Sequence, residues 1–395
     1  METILLREYE DQSVELSEGD ADFILQELAG KILVHREFRG KGYILNPCQY
    51  VGVIGLPSGR RLESRPKIPV SNLFYMLAVA FQLPTFRPEF AELDRLDEIL
   101  EFIAAFFAEL VEERIRNGLY RSYVEKEENA AVVRGRISLI EDLRLNYILR
   151  HRTYCRYDEL TWDVPENQVI RQVAHFLSGW QFRPETRLRL SQIDTELETV
   201  TRTQFTASDI HRLNYHRLNE DYRPVHQLCR LFLEGSSFSE GMGTFSFRAF
   251  LVDMNKLFEE FVCQTLKLKA RRMFSVHLQH RVYLGRDEKV VMKPDILIRN
   301  RGAVILAADC KYKQLESDEF KNHDVYQLLA YCTATGTHDG LLIYPLHLTS
   351  NREKVQILNT ETCIRQITID LRLELNKFVE SCNLFADEIF AHAEA

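Results

Sequence analysis

Three ionisable residues stand out by type and spacing: Asp295 at the start of "DILIRN", and Asp309 and Lys311 at the end of the apolar run "AVILAADCK". Side chains on a strand alternate faces, so Asp309 and Lys311 project together while Cys310 faces the other way. A turn at or near "RNRG", residues 299 to 302, would fold the two runs into an antiparallel hairpin. If that hairpin turns over about four residues, Asp295 lies across the ladder from Asp309 to within one residue of register. Two neighbouring carboxylates repel, and at least one holds its proton unless a cation intervenes. Mg²⁺ meets that need, because it favours hard oxygen ligands and takes only one or two protein carboxylates, with water and phosphate oxygens completing its shell. The ion would polarise a phosphate and lower the pKa of the attacking water, while Lys311 orients that water or stabilises negative charge in the transition state. The constellation suits phosphodiester hydrolysis. Alone, the same three residues would more often form a surface ion-pair cluster at a strand end.

The elements that must position them come late in a chain of 395 residues. At roughly 150 residues per domain, that length implies two or three domains. The expected class is multidomain α+β. Residues 1–70 read as a β-rich N-terminal domain, with "KILVHREF", "GYILNP", "YVGVIGLP" and "RRLESRPKIP" broken by glycine and proline. Residues 71–234 read as a mostly helical middle domain. It opens on "SNLFYMLAVAFQL" behind the N-cap Ser71, and "AAVVRGRISL" and "TYCRYDELTWDVPENQVI" are its extended pieces. The Gly/Ser-rich stretch 235–244 is the best linker, which implies that residues 1 to about 234 fold separately. Residues 245–395 read as a C-terminal α/β domain with a mixed sheet, in the order helix, strands, helix, strand.

The apolar fraction of 45% and charged fraction of 27% are those of a soluble globular protein. No signal peptide and no apolar run of membrane-spanning length is present, so no membrane association and a cytoplasmic location are expected. The eight cysteines lack any C-x-x-C pair and read as reduced core residues; the histidines show no zinc-ligand spacing. A formal charge of −8 repels nucleic acid, so phosphate contact must come from local patches or a partner. "GLPSGRR" lacks the spacing of a phosphate loop, so no nucleotide is expected to bind this chain itself.

Pro294-Asp295 followed by Asp309-x-Lys311 resembles the core of the PD-(D/E)xK nucleases. Two further elements carry the likeness: Glu259 in the helical "NKLFEEFV", and Gln327 with Tyr331 as a Q-x-x-x-Y motif one turn apart on the next helix. The resemblance implies catalytic roles for Asp295, Asp309, Lys311, Glu259, Gln327 and Tyr331. Its implied Mg²⁺ ligands are Asp295, Asp309, Glu259 and the backbone carbonyl of Cys310, with Glu259 preferred to Glu260. "VDMNKLFEEFV", "MKPDILI", "DCKYK" and "YQLLAY", with "RPKIPVSNLFYML", "VRGRISL" and "DELTWDVPENQVI" upstream, narrow the resemblance to the McrC family over most of residues 50 to 345. McrC is the nuclease subunit of modification-dependent McrBC restriction systems. That resemblance implies an McrB-type AAA+ GTPase hexamer as partner and double-stranded DNA carrying modified cytosine as substrate. Residues 1 to about 234, which show no catalytic constellation, are expected to carry the partner contact, with the middle domain 71–234 as the partner-binding domain.

"KLKARRMFSVHLQHR" interleaves basic and aromatic residues beside the candidate core, which makes Lys269, Arg271, Arg272 and Arg281, together with Lys313, candidate DNA contacts. Two other functions compete with this reading. One is an assembly and activating module for the AAA+ partner with the nuclease core as scaffold; a missing lysine or aspartate would have favoured it. The other is a stand-alone repair nuclease, which would have little use for about 240 residues upstream of the core.

Overall fold

The computed structural model describes residues 2–37, 42–83, 95–148, 151–235, 249–313, 322–346 and 354–394. Most of the expected linker, 236–244, lies outside them. The chain forms two compact units, Met1–Ile99 with Gly235–Ala395, and Leu100–Glu234.

The first unit holds a six-stranded sheet in the order Phe274–Leu278, Ile296–Asn300, Ala303–Cys310, Asp339–Pro345, Cys363–Ile369, Lys354–Gln356. The first three strands are antiparallel, the third to fifth run parallel, and the last is antiparallel again, so the sheet is mixed as expected. The crossover between the parallel strands Ala303–Cys310 and Asp339–Pro345 contains the helix Asn322–Thr335. Its Leu328, Tyr331 and Cys332 pack on Leu297, Ala307 and Leu342 of the sheet. The strand Cys363–Ile369 and the helix Leu375–Glu394, which buries one face, complete this part of the unit.

A four-stranded sheet lies in the same unit, ordered Thr3–Arg7, Arg61–Arg65, Tyr50–Gly55, Ala249–Asp253. Its last strand comes from beyond residue 245, and this corrects the expectation that residues 1 to about 234 close a fold by themselves. Leu251 is buried with Ile4, Leu6, Ile54 and Leu62, and Gly52 is needed where it stands: a Cβ there would meet the Phe250 carbonyl oxygen at 1.9 Å. A chain cut near residue 235 would strip this edge and expose that core. Immediately after the strand, Asp253 caps the helix Met254–Lys269 through its side chain, bonded to the amides of Asn255 (3.0 Å) and Lys256 (3.4 Å). The first segment also contains a helix, Glu18–Glu27, where only strands were expected. Ser17 caps it, and Ala21, Ile24 and Leu28 are buried at helical spacing.

The helix Val70–Ala80, expected to open the middle domain, belongs to this first unit as well. Asn72 Nδ2 donates to the carbonyls of Leu371 (2.9 Å) and Leu373 (2.8 Å). The Tyr75 ring stands edge-on to Phe261 and Phe378. Phe261 and Phe378 are fully buried, each worth roughly 1.5–3 kcal/mol of apolar burial, enough to hold the three helices as one layer.

The second unit is helical with a small sheet. Leu96–Asn117, which enters it from the first unit, Pro165–Ser178, Pro184–Glu196 and Arg223–Gly235 are its longer helices. Ser122–Ala130 and Thr153–Thr161 form a nine-residue antiparallel ladder joined by Arg136–Ile137. Among the described residues no helix is long and apolar enough to cross a membrane.

Candidate functional site

The hairpin that opens the site turns over two residues, Arg301 and Gly302, both with positive φ (48° and 93°), the geometry that suits the twist of antiparallel strands. Asn300 pairs with Ala303, but from Ile298 onward the register shifts by one, giving Ile298↔Leu306, Leu297↔Ala307 and Ile296↔Ala308. Asp295 therefore follows opposite Asp309, as the sequence had implied, on the sheet face shared by Leu297 and Ala307. That is the face covered by the helix of Gln327 and Tyr331.

Asp309 is fully buried, and neither of its oxygens accepts an aligned hydrogen bond from a described residue. Its balance comes from charge, with Lys311 Nζ 2.6 Å from Oδ2. The ammonium is held from the other side by Gln327 Oε1 at 3.2 Å, and Gln327 Nε2 in turn donates to the Tyr331 hydroxyl at 2.7 Å. The Q-x-x-x-Y motif thus fixes where Lys311 points. Asp295 Oδ2 accepts from the amide of Cys310 at 2.8 Å.

Electrostatics in this site run against ionisation. Burial, then the charges of Asp309 and Glu259, push the Asp295 carboxyl well above the usual carboxylate range. Burial also raises Asp309, against the pull of Lys311. Glu259 is raised by burial and by Asp309, against a hydrogen bond from Gln279. For Lys311 burial works against the charge, but the Asp309 carboxylate outweighs it and holds the ammonium above its ordinary pKa. Three carboxyls share one ammonium at this strand edge, so further positive charge is needed before all three can ionise.

Of the two adjacent glutamates, Glu259 is the one placed electrostatically beside Asp295 and Asp309. Glu260 accepts from Gln264 Nε2 at 3.1 Å. Gln279 was not singled out in the sequence. It joins the parts by donating from its backbone to Asp295 O (2.9 Å) and from Nε2 to Glu259 Oε2 (3.2 Å). Its positive φ of 46° and its place just after a strand give it no pattern that marks it beforehand. Asp324 was missed too. It lies one turn before Gln327, is fully buried, and binds Lys313 Nζ (2.7 Å) and the Tyr344 hydroxyl (2.8 Å). Lys313, about a third exposed at 34% of its side chain, is held by that ion pair, whereas Lys269, Arg271, Arg272 and Arg281 are exposed.

Among the described residues no three His, Cys, Asp or Glu side chains converge into a closed metal cage. The donor set nevertheless suits Mg²⁺. Facing carboxylates, one of them Asp309 with Oδ1 lacking a hydrogen-bond partner among the described residues, provide the one or two hard ligands that ion takes from a protein. All eight cysteines are free and most are buried, as expected.

A family model described as "McrBC 5-methylcytosine restriction system component" matches residues 45–345, most of the chain and every residue of the site. The chain belongs to this family. The McrC likeness read from the motifs agrees with the match. The chain is 23% identical over 307 residues to the type IV methyl-directed restriction enzyme EcoKMcrBC of Escherichia coli K12, covering 71% of this chain and 87% of that one. Its fold is similar to that in a half-complex from a tetradecameric assembly of Thermococcus gammatolerans McrB AAA+ hexamers with bound McrC. That similarity has a TM-score of 0.56 at 18% identity and covers 98% of this chain and 100% of the other. A second structure, of the Thermococcus gammatolerans McrBC complex, is similar over 68% of this chain and 89% of its own, at 21% identity and a TM-score of 0.44.

Proposed function

We propose that this McrBC family chain is the Mg²⁺-dependent DNA endonuclease subunit of a restriction complex. It would cut DNA bearing modified cytosine and stimulate an McrB-type AAA+ GTPase hexamer. The observation that carries the reading is the register of Asp295 with Asp309, beside Lys311, in the order Glu259, Asp295, Asp309-x-Lys311, Gln327-x-x-x-Tyr331. Asp295, Asp309, Glu259 and the Cys310 carbonyl would hold the ion, which when bound supplies the positive charge that polarises the phosphodiester and acidifies water. Lys311, steadied by Gln327 and Tyr331, orients the attacking water and stabilises charge building on the phosphate. Lys269, Arg271, Arg272 and Arg281 would track the DNA backbone.

The partner contact is assigned to the second unit. There Val132, Leu139, Ile140, Leu143, Tyr147 and Ile148 are all more than half exposed, on and around the helix Leu139–Asn146. An apolar cluster of this kind marks an interaction surface. The test mixes the purified chain with its McrB-type GTPase and follows GTP hydrolysis together with cleavage of methylated and unmethylated DNA. Cleavage of methylated DNA that needs Mg²⁺, GTP and the partner is expected. A chain that stimulates GTP hydrolysis without cutting would be an activating module, and one that cuts alone at comparable concentration would be a stand-alone nuclease.

A further inference from the structure

Tyr312 follows the candidate catalytic Lys311 directly, and its surroundings belong to the N-terminal sheet. Glu8, just past the strand Thr3–Arg7, is fully buried, and its Oε1 accepts from the Tyr312 hydroxyl at 2.9 Å and from the Lys67 amide at 2.5 Å. The neighbouring Tyr9 hydroxyl lies within donating distance of the Tyr312 carbonyl (3.1 Å) and of Asn255 Oδ1 (3.2 Å). Asn255 stands one helical turn before Glu259, and the Tyr312 ring packs against Phe258, the residue beside it, at 5.9 Å. Tyr9 holds a φ of 57°, a left-handed conformation that is costly for a bulky side chain and persists where the surroundings over-determine it. Its amide is fixed to the Cys48 carbonyl at 2.8 Å.

We infer that Glu8 and Tyr9 are positioning residues for Lys311 and Glu259. They clasp Tyr312 and the first turn of the helix Met254–Lys269, so that the N-terminal sheet sets the geometry of the cutting centre. The inference rests on the nuclease reading above. Lys311 is fixed on one side by its own amide, bonded to Ile343 O at 2.9 Å, and on the other by whatever holds residue 312. Loosening the clasp would let the ammonium drift from its place between Asp309 and Gln327. Misplacements of about 1 Å in such centres cost up to on the order of a hundredfold in rate.

The test uses the full complex with the GTPase partner and compares the native chain with Tyr312→Phe, Tyr9→Phe and Glu8→Gln. Each of the first two removes one hydroxyl oxygen and leaves the ring in place. Both should cut DNA roughly tenfold more slowly per assembled chain at saturating DNA, with KM for DNA and the stimulated GTPase rate unchanged. Glu8→Gln keeps an oxygen that accepts both bonds, so it should cut at close to the native rate. Native-rate cleavage by both phenylalanine variants would overturn the inference. So would a loss of cleavage matched by an equal loss of GTPase stimulation, since that is general misfolding rather than mispositioning. A native chain that stimulates the GTPase and never cuts would instead bring down the nuclease reading, and the inference with it.

Discussion

Asp295 stands opposite Asp309 because one residue between Gly302 and Leu306, Ile305, is bulged out of the ladder. The two-residue turn alone, with Asn300↔Ala303 and Arg299↔Val304, would bring Ala308 opposite Asp295 and set Asp309 on the other face. The bulge at Ile305 restores the pairing. Bulges of this kind re-aim side chains.

Deleting Ile305 should leave cleavage and GTPase stimulation in place, because an unbroken ladder from Arg299↔Val304 then runs through Ile298↔Leu306 to the same carboxylate pair. Inserting one alanine between Leu306 and Ala307 should lower cleavage by at least about a hundredfold while GTPase stimulation persists, because it brings Ala308 opposite Asp295 and turns Asp309 to the other face. Gly302→Ala is the control. At a φ of 93° it should cost on the order of 1 kcal/mol of stability, read from the denaturation midpoint, and leave cleavage intact because the register is untouched.

Asp295→Asn should abolish cleavage and, in buffer free of divalent ions, leave the chain as stable as the native one or more so. It removes a charge that burial and two neighbouring carboxyls oppose, and its amide oxygen still accepts from the Cys310 amide. Adding Mg²⁺ should raise the melting midpoint of the native chain and not that of the variant. An equal rise in both would take Asp295 out of the ion site.

Lys311→Ala leaves Asp309 buried without its counter-charge, at a cost of about 3 kcal/mol in EDTA. Mg²⁺ should recover much of that stability, since an ammonium is not a ligand, yet cleavage should stay at least about a hundredfold down. Melting curves in EDTA and in Mg²⁺, set beside single-turnover rates, separate the two effects.

Ile140→Lys combined with Leu143→Lys alters side chains that are 77% and 65% exposed, so stability should move by no more than about 0.5 kcal/mol for each. GTPase stimulation should be lost. Unchanged stimulation would place the partner contact elsewhere.

Glu8 supplies a pH dependence of stability. Burial raises its carboxyl from 4.5 to about 7, against the lowering effect of the Lys67 amide and the Tyr312 hydroxyl; Lys67 and Glu10 are the nearby charges, with opposed effects. The folded chain thus holds this proton more tightly than the unfolded chain. The stabilisation is whole below the unfolded value and is lost as the pH rises through the folded one. Glu8→Gln has no such loss. Its advantage over the native chain in denaturation midpoint should open above pH 4.5 and level off above pH 7, at no more than on the order of 3 kcal/mol. A constant difference between pH 5 and pH 8 would contradict a buried acid here.

The sequence by itself determined which ionisable side chains meet at the strand edge. Asp295, Asp309 and Lys311 are legible because strand alternation and a hairpin are local rules, and Gln327 with Tyr331 because helical spacing is one too. The reduced cysteines and the mixed sheet followed from composition and the order of elements. What only the tertiary structure decided involves partners distant in the chain. Ala249–Asp253 completes a sheet begun at Thr3, Val70–Ala80 packs with a helix starting at Leu375, and Glu8 reaches Tyr312. The one-residue bulge also waited on the fold, as did the place of Glu259 beside Asp295 and Asp309. Local periodicity reports which face of an element is apolar but is silent on which other element covers it, and a single added residue in a strand leaves no mark in an apolar run such as "AVILAA".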